Sequence, residues 1–218
     1  MLDVGCGKGS WPRTFLKHGC AVAHGVDGPW VTDSELPEGS FFPFDFESAD
    51  VPFEPSLPLD RYDLVTTFEF VEHVDEKLSE PLIDFLCRLS DVVVCGGAIP
   101  YQGGQHHVNE QWPHYWAEKF TRRGYEACDF IRPQVWGADV EPWYAQNVIA
   151  YFKGGAPASL KKAAIEAWTA IPLPVVHPVM WERLIMANPP RPAPLKERIA
   201  ALPGRVVGKV KRTLLGSE

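Results

Sequence analysis

Short apolar runs alternate with longer stretches of helical periodicity along the first two thirds of the chain. Met1–Val4 predicts a strand entering a glycine-rich turn at Gly5–Gly9, and Trp11–His18 a helix stopped by Gly19. Ala21–Val26 predicts a second strand closing on Asp27, Phe41–Phe46 a third and Tyr62–Thr67 a fourth. Within Pro81–Leu89, the residues Leu82, Phe85, Leu86 and Leu89 recur at helical spacing on one face. Asp91–Cys95 then reads as a buried strand, Trp112–Arg123 as a helix stopped by Gly124, and Tyr125–Ile131 and Asn147–Phe152 as the last two strands. This alternation predicts an α/β protein whose sheet is flanked by helices. No helix is predicted between the last two strands, and strands so connected commonly pair antiparallel.

After Gly154-Gly155 the pattern changes, which divides a domain at 1–154 from an extension at 155–218. Lys161–Ile171 predicts a helix, and prolines crowd positions 172–194. Leu195, Ile199, Leu202, Val206, Val210 and Leu214 form an apolar stripe with Lys and Arg opposite, broken at Pro203-Gly204. Such a stripe suits a helix folded back onto the body, or one making peripheral contact with a membrane surface.

The 218 residues carry a formal charge of −7, but from Ala156 onward ten Lys/Arg stand against four acids. The tail is therefore +6 and the body −13. An acidic body argues against nucleic acid as a partner. With 45% hydrophobic and 22% charged residues the composition is that of a folded domain, and no apolar run reaches membrane-spanning length. The five cysteines (Cys6, Cys20, Cys87, Cys95, Cys128) are odd in number and none forms a C-x-x-C pair. Neither a disulfide framework nor a zinc knuckle is expected, and with no leader-like segment at Met1–Gly5 the expected compartment is cytoplasmic.

The strongest chemical signal is Leu2-Asp3-Val4-Gly5-Cys6-Gly7-Lys8-Gly9-Ser10. Glycines at alternate positions after a strand let a ligand approach the backbone and aim free N–H groups at it. A dinucleotide fingerprint needs its third glycine one residue later than Gly9, and Asp3 suits a cation better than a pyrophosphate. The D-x-G-C-G-x-G run resembles motif I of the class I S-adenosylmethionine-dependent methyltransferases. Further landmarks follow in order: Asp27, Asp45-Phe46, and Phe68-Glu69-Phe70-Val71-Glu72-His73-Val74 after Tyr62-Asp63-Leu64-Val65. The segments from Gly103 to Trp116 and from Glu141 to Asn147 are similar to stretches shared by bacterial methyltransferases of unassigned substrate. The resemblance covers about residues 2–153.

It implies a Rossmann-like sheet of seven strands, mostly parallel with an antiparallel last strand, followed by the C-terminal helical extension. It implies S-adenosylmethionine as cofactor, with the methionine portion at Asp3, Gly5, Gly7 and Gly9, the ribose at Asp27, the adenine at Asp45 and Phe46, and Phe68 close by. Family members usually carry a helix before the first strand that helps close this site, whereas here the chain begins almost on the strand. Either a late start or a missing lid accounts for that.

Glu69, Glu72 and His73 stand at i, i+3 and i+4, so a helical turn would bring all three to one face. A similar E-x-x-E-H pattern occurs in metal-dependent O-methyltransferases of ubiquinone biosynthesis and in small-RNA 2′-O-methyltransferases, and also in metal-free relatives. Divalent metal, contact with cofactor or substrate, and structural packing all stay open for these residues, and no metal ligand is assigned. Of His106, His107 and His114, His107 matches the shared stretch and is the candidate base, with Glu69 facing the acceptor. The expected activity is methyl transfer to a small-molecule acceptor, at an oxygen of a saccharide or secondary metabolite. The alternatives are a degenerate fold serving as a binding module, and a nicotinamide-dependent oxidoreductase.

Overall fold

The computed structural model describes residues 1–154 and 172–187. Met1–Trp181 forms one compact unit, and a second runs from Glu182 to Glu218, described only over residues 182–187. The predicted helix at 161–171 and the stripe at 195–214 lie outside the described residues.

Seven strands form one sheet: β1 (Leu2–Val4), β2 (His24–Asp27), β3 (Phe41–Pro43), β4 (Val65–Phe68), β5 (Val92–Gly96), β6 (Tyr125–Cys128) and β7 (Ile149–Lys153). Their order is β3-β2-β1-β4-β5-β7-β6. All pairings are parallel except those of β7, which runs antiparallel to both β5 and β6. This is the Rossmann-like α/β sheet with an antiparallel last strand that the sequence led us to expect. The order reverses beside β1, with β2 on one side and β4 on the other. In open α/β sheets that reversal opens a crevice at the carboxyl ends of the strands.

The helices are α1 (Ser10–Lys17), α2 (Ser79–Leu89), α3 (Pro113–Arg122), α4 (Ile131–Val135), α5 (Pro142–Asn147) and α6 (Pro178–Ala187). Helix α2 buries the predicted face of Leu82, Phe85, Leu86 and Leu89, together with Ile83. Removing any of these side chains down to Ala is expected to cost about 2–5 kcal/mol. Pro113 opens α3, where its missing N–H is not needed, and Gly124 closes it at φ 81°. Between them Trp116, Ala117 and Phe120 face the sheet, with Phe120 stacked on Tyr151 of β7 at 4.0 Å.

Several expectations need correction. The link between the last two strands holds two short helices, α4 and α5, and not a loop alone. Phe130-Ile131 looked like a continuation of the strand, but Pro133 has no N–H for a ladder, and the Arg132–Asp129 ion pair turns the chain away. Pro142 then starts α5 as Pro113 starts α3. Strand β3 ends at Pro43, well short of Phe46, and the residues after it are spent on a turn capped by Asp45. Strands β2 and β4 each begin three residues later than expected and end one residue later. The proline-rich stretch also contains a helix, α6, that proline content concealed. No helix among the described residues is long and apolar enough to cross a membrane.

Candidate cofactor and acceptor site

The site is built on the turn between β1 and α1. Gly5, Gly7 and Gly9 hold φ of 76°, 53° and 97°, a region open to glycine at little cost. Gly5 has a second reason to be glycine, because a Cβ there would overlap the ring of Phe70. Gly7 faces open space, with nothing within 4 Å of the position a Cβ would take. The turn is tied to β2 by N–H bonds from Gly5 and Cys6 to the Val26 carbonyl, at 2.9 and 3.3 Å. Asp27 completes the tie, accepting the Gly7 N–H at 2.7 Å and the Gly28 N–H at 2.6 Å.

Over this turn lies a pocket of about 660 Å³. Gly5, Gly7 and Asp27 line one part of it, Asp45 and Phe46 a second, and Glu69, His73 and His106 a third. The structure thus brings together six of the sequence-predicted residues: Gly5, Gly7, Asp27, Asp45, Phe46 and Glu69. Asp27 keeps lone pairs free for hydroxyl donors, since each of its oxygens accepts one backbone N–H. Asp45 accepts the N–H groups of Glu47 and Ser48 through Oδ1, and bonding to Ser48 is the main reason its carboxyl lies below the ordinary range. Phe46 is buried among Phe44, Phe53, Phe70 and Phe85, with ring centroids 4.8–5.6 Å away.

Four predicted residues stand off the pocket wall. Gly9 caps the start of α1. Phe68 packs beside Trp11 and Tyr144, at centroid distances of 4.8 and 6.1 Å. Asp3 is buried beneath the turn and accepts the Thr66 hydroxyl at 2.6 Å. Burial pushes its carboxyl up to about 7, against the Thr66 bond, with the Asp27 charge adding to the rise. His107 is the fourth. It sits behind His73, edge to face at 4.9 Å, over Gly104, where a Cβ would overlap its ring. Its Nδ1 bonds Glu110 at 3.0 Å.

The segment after β4 does not form the helical turn expected of it. Glu69 takes a left-handed conformation at φ 48°, and Val71–His73 is a single 3-10 turn. Glu69 stays beside Glu72, close enough for their carboxyls to interact, but it lies outside the cluster that Glu72 forms with His73 and His107. Its two oxygens accept from Asn147 Nδ2 and Gln102 Nε2, each at 2.7 Å. Burial raises its pKa, and these two bonds oppose the rise. Glu72 is 0% exposed, and neither of its oxygens has a hydrogen-bond partner among the described residues. Burial and the Glu69 charge push it up to about 8.

His107 Nε2 lies 3.9 Å from Glu72 Oε1, and one ligand atom each from Glu72, His73 and His107 fall within 4.8 Å of one another. A carboxylate and two imidazoles form a donor set suited to a divalent transition metal. His73 donates its Nδ1–H to the His106 carbonyl at 3.2 Å, which leaves Nε2 as the lone-pair nitrogen. Burial and the neighbouring His107 lower its pKa, against the pull of the His106 carbonyl bond.

Sequence reasoning missed Trp30, Gln102 and Asn147. Trp30 covers Gly28 at the pocket edge, 64% exposed, and no motif marks it. Gln102 and Asn147 meet Glu69 only through the sheet order, although Asn147 belongs to a stretch singled out by resemblance.

Comparison with curated proteins found no match. Among solved structures, the chain is similar to an S-adenosylmethionine-dependent methyltransferase from Mesorhizobium loti, 13% identical over 70% of this chain and 89% of that one, with a TM-score of 0.48. It is similar to magnesium protoporphyrin IX methyltransferase from Synechocystis with bound S-adenosylmethionine, 16% identical over 70% and 69%, with a TM-score of 0.49. The methyltransferase domain of bacterial CtHen1-C is 19% identical over 71% and 89%, also at 0.49. A family model described as a methyltransferase domain matches residues 1–130. With more than half of its length matched, the chain belongs to that family of methyltransferase domains.

Proposed function

We propose that this protein transfers the methyl group of S-adenosylmethionine to a hydroxyl oxygen of a small-molecule acceptor. A saccharide and a polyketide-like secondary metabolite are the acceptor classes to test first, on the resemblance and the aromatic content of the chain. The observation carrying the choice of oxygen is His73, which stands in the pocket wall with its Nδ1–H held by a carbonyl. A neutral ring so fixed offers Nε2 to an incoming proton. The acceptor oxygen attacks the methyl carbon and its proton passes to Nε2. The carbon–sulfur bond breaks with its electron pair left on sulfur, giving S-adenosylhomocysteine. His107 and Glu110 stand behind His73 and keep it in place. Alignment of nucleophile, methyl and sulfur supplies much of the remaining rate.

Calorimetric titration with S-adenosylhomocysteine, with NAD as control, tests the cofactor, and release of S-adenosylhomocysteine across a panel of hydroxylated acceptors tests the reaction. We expect binding of S-adenosylhomocysteine alone, and turnover that His73→Ala removes while binding persists. Binding of NAD in its place, or turnover unaffected by His73→Ala, would overturn the reading.

A second reading is favoured by the unpartnered Glu72 carboxylate. Glu72, His73 and His107 would hold a divalent ion, and such an ion supplies Lewis-acid polarisation of an acceptor hydroxyl. Titration with Mn²⁺ and Co²⁺ separates the two readings. Binding that Glu72→Gln abolishes supports the ion, and heat of dilution alone rejects it.

A further inference from the structure

A ladder of side-chain amides runs from Glu69 to the chain beyond β7. Asn147 and Gln102 each donate to one Glu69 oxygen. Gln102 Oε1 accepts from Asn147 Nδ2 at 3.0 Å and from Gln146 Nε2 at 3.1 Å. Gln146 also donates to Asn147 Oδ1 at 3.0 Å, and its own Oε1 accepts the backbone N–H of His177 at 2.8 Å. Gln146 and Asn147 are both buried. Two further side-chain donors, Arg132 and His177, hold residues 172–177. Arg132 donates to the carbonyls of Gln146 and Leu173, at 3.2 and 3.1 Å, and His177 donates Nε2–H to the Trp136 carbonyl at 3.0 Å.

The ladder has a direction. Glu69 accepts through both oxygens, so the N–H₂ ends of Asn147 and Gln102 point toward it and their oxygens away. Those oxygens need donors, which Gln146 supplies, and its oxygen is then left pointing outward for His177. Every amide orientation thus follows from the carboxylate at one end and the backbone N–H at the other. Buried networks of this kind are rigid when every group is satisfied and expensive when one is missing.

We propose that Gln102, Gln146 and Asn147 are positioning residues for Glu69, and that residues 172–177 belong to the methyl-transfer site as the strap that anchors the ladder. The proposal rests on the reading above, in which S-adenosylmethionine occupies the pocket that Glu69 lines. It makes docking of the strap and occupancy of the pocket two ends of one equilibrium. Whatever factor the strap contributes to ligand affinity, the ligand must return to the strap.

The test is hydrogen exchange on the full chain with and without S-adenosylhomocysteine, following peptides that cover residues 4–9 and 172–178. In the unaltered protein we expect the ligand to slow exchange in both, by about five-fold or more at the strap. Gln146→Met removes both the donors and the acceptor of the central rung. It should keep ligand-dependent slowing at 4–9 and lose it at 172–178. His177→Pro removes both the N–H that Gln146 accepts and the imidazole bond to the Trp136 carbonyl, and this undocked strap should weaken S-adenosylhomocysteine binding by the factor measured in the exchange. Slowing at 4–9 with none at 172–178 in the unaltered protein would overturn the proposal. So would variants with lowered Tm and unchanged ligand affinity, the mark of a purely structural role. Absence of slowing at 4–9 would instead overturn the cofactor reading and, with it, this one.

Discussion

Asp27 accepts the backbone N–H of Gly7 at 2.7 Å, so the carboxylate that faces the pocket also shapes the turn beneath it. Asp27→Asn can still accept one of the Gly7 and Gly28 N–H groups, but its N–H₂ faces the other donor to donor and cannot accept from a ligand hydroxyl. Asp27→Ala loses the two backbone bonds and the hydroxyl acceptor together. Calorimetry should find S-adenosylhomocysteine binding weakened about tenfold or more in the Asn variant, and further in the Ala variant, given about 1.5–3 kcal/mol for a hydrogen bond to a charged group.

Asp3 gives the free protein a pH dependence of defined sign. Its folded-state pKa of about 7 lies above the ordinary carboxylate value, so the folded state holds a proton that the unfolded state has released. Stability from this group is complete below the unfolded pKa and is lost as pH rises through about 7. Asp3→Asn removes the titration. Urea unfolding at pH 5 and pH 8 should show a smaller loss of stability in the variant than in the unaltered protein.

His73 must be neutral to accept a proton, and burial lowers its pKa. Turnover with an identified acceptor should therefore hold steady through neutral pH and fall only below the ordinary histidine range. His73→Ala should lose about 10²–10⁴-fold in rate, with S-adenosylhomocysteine affinity little changed.

Gly5→Ala and Gly7→Ala should separate two kinds of glycine requirement. At Gly5 the φ of 76° and the Phe70 ring act together, so the variant should unfold in less urea and bind no ligand. At Gly7 only φ resists, because the space beyond is open. That variant should lose about 1–2 kcal/mol of stability, while the new methyl intrudes where a ligand approaches the backbone.

The sheet was legible because its strands are short apolar runs closed by glycine or acid, and because Leu82, Phe85, Leu86 and Leu89 keep a helical period. The glycine turn and Asp27 were legible because their spacing is local. What escaped depends on contacts far apart in sequence. Glu69 and Asn147 are separated by 78 positions, and nothing near Glu69 signals its left-handed φ or predicts that two amides will claim its oxygens. Helices α4 and α5 were hidden by their shortness, and α6 by prolines whose count says little about where each one falls.

Glu69, Tyr101 and His106 hold φ of 48°, 69° and 59°, the non-glycine residues at positive φ among those described. Glu69 and His106 line the pocket, and the N–H of Tyr101 bonds Glu110, which also holds His107. Backbone energy stored in this way is of order 1–3 kcal/mol per residue, and glycine would release it. Directed evolution for heat tolerance would thus be drawn to glycine at positions 69, 101 and 106. The hardiest clones from such a library should be the ones that have traded away their chemistry.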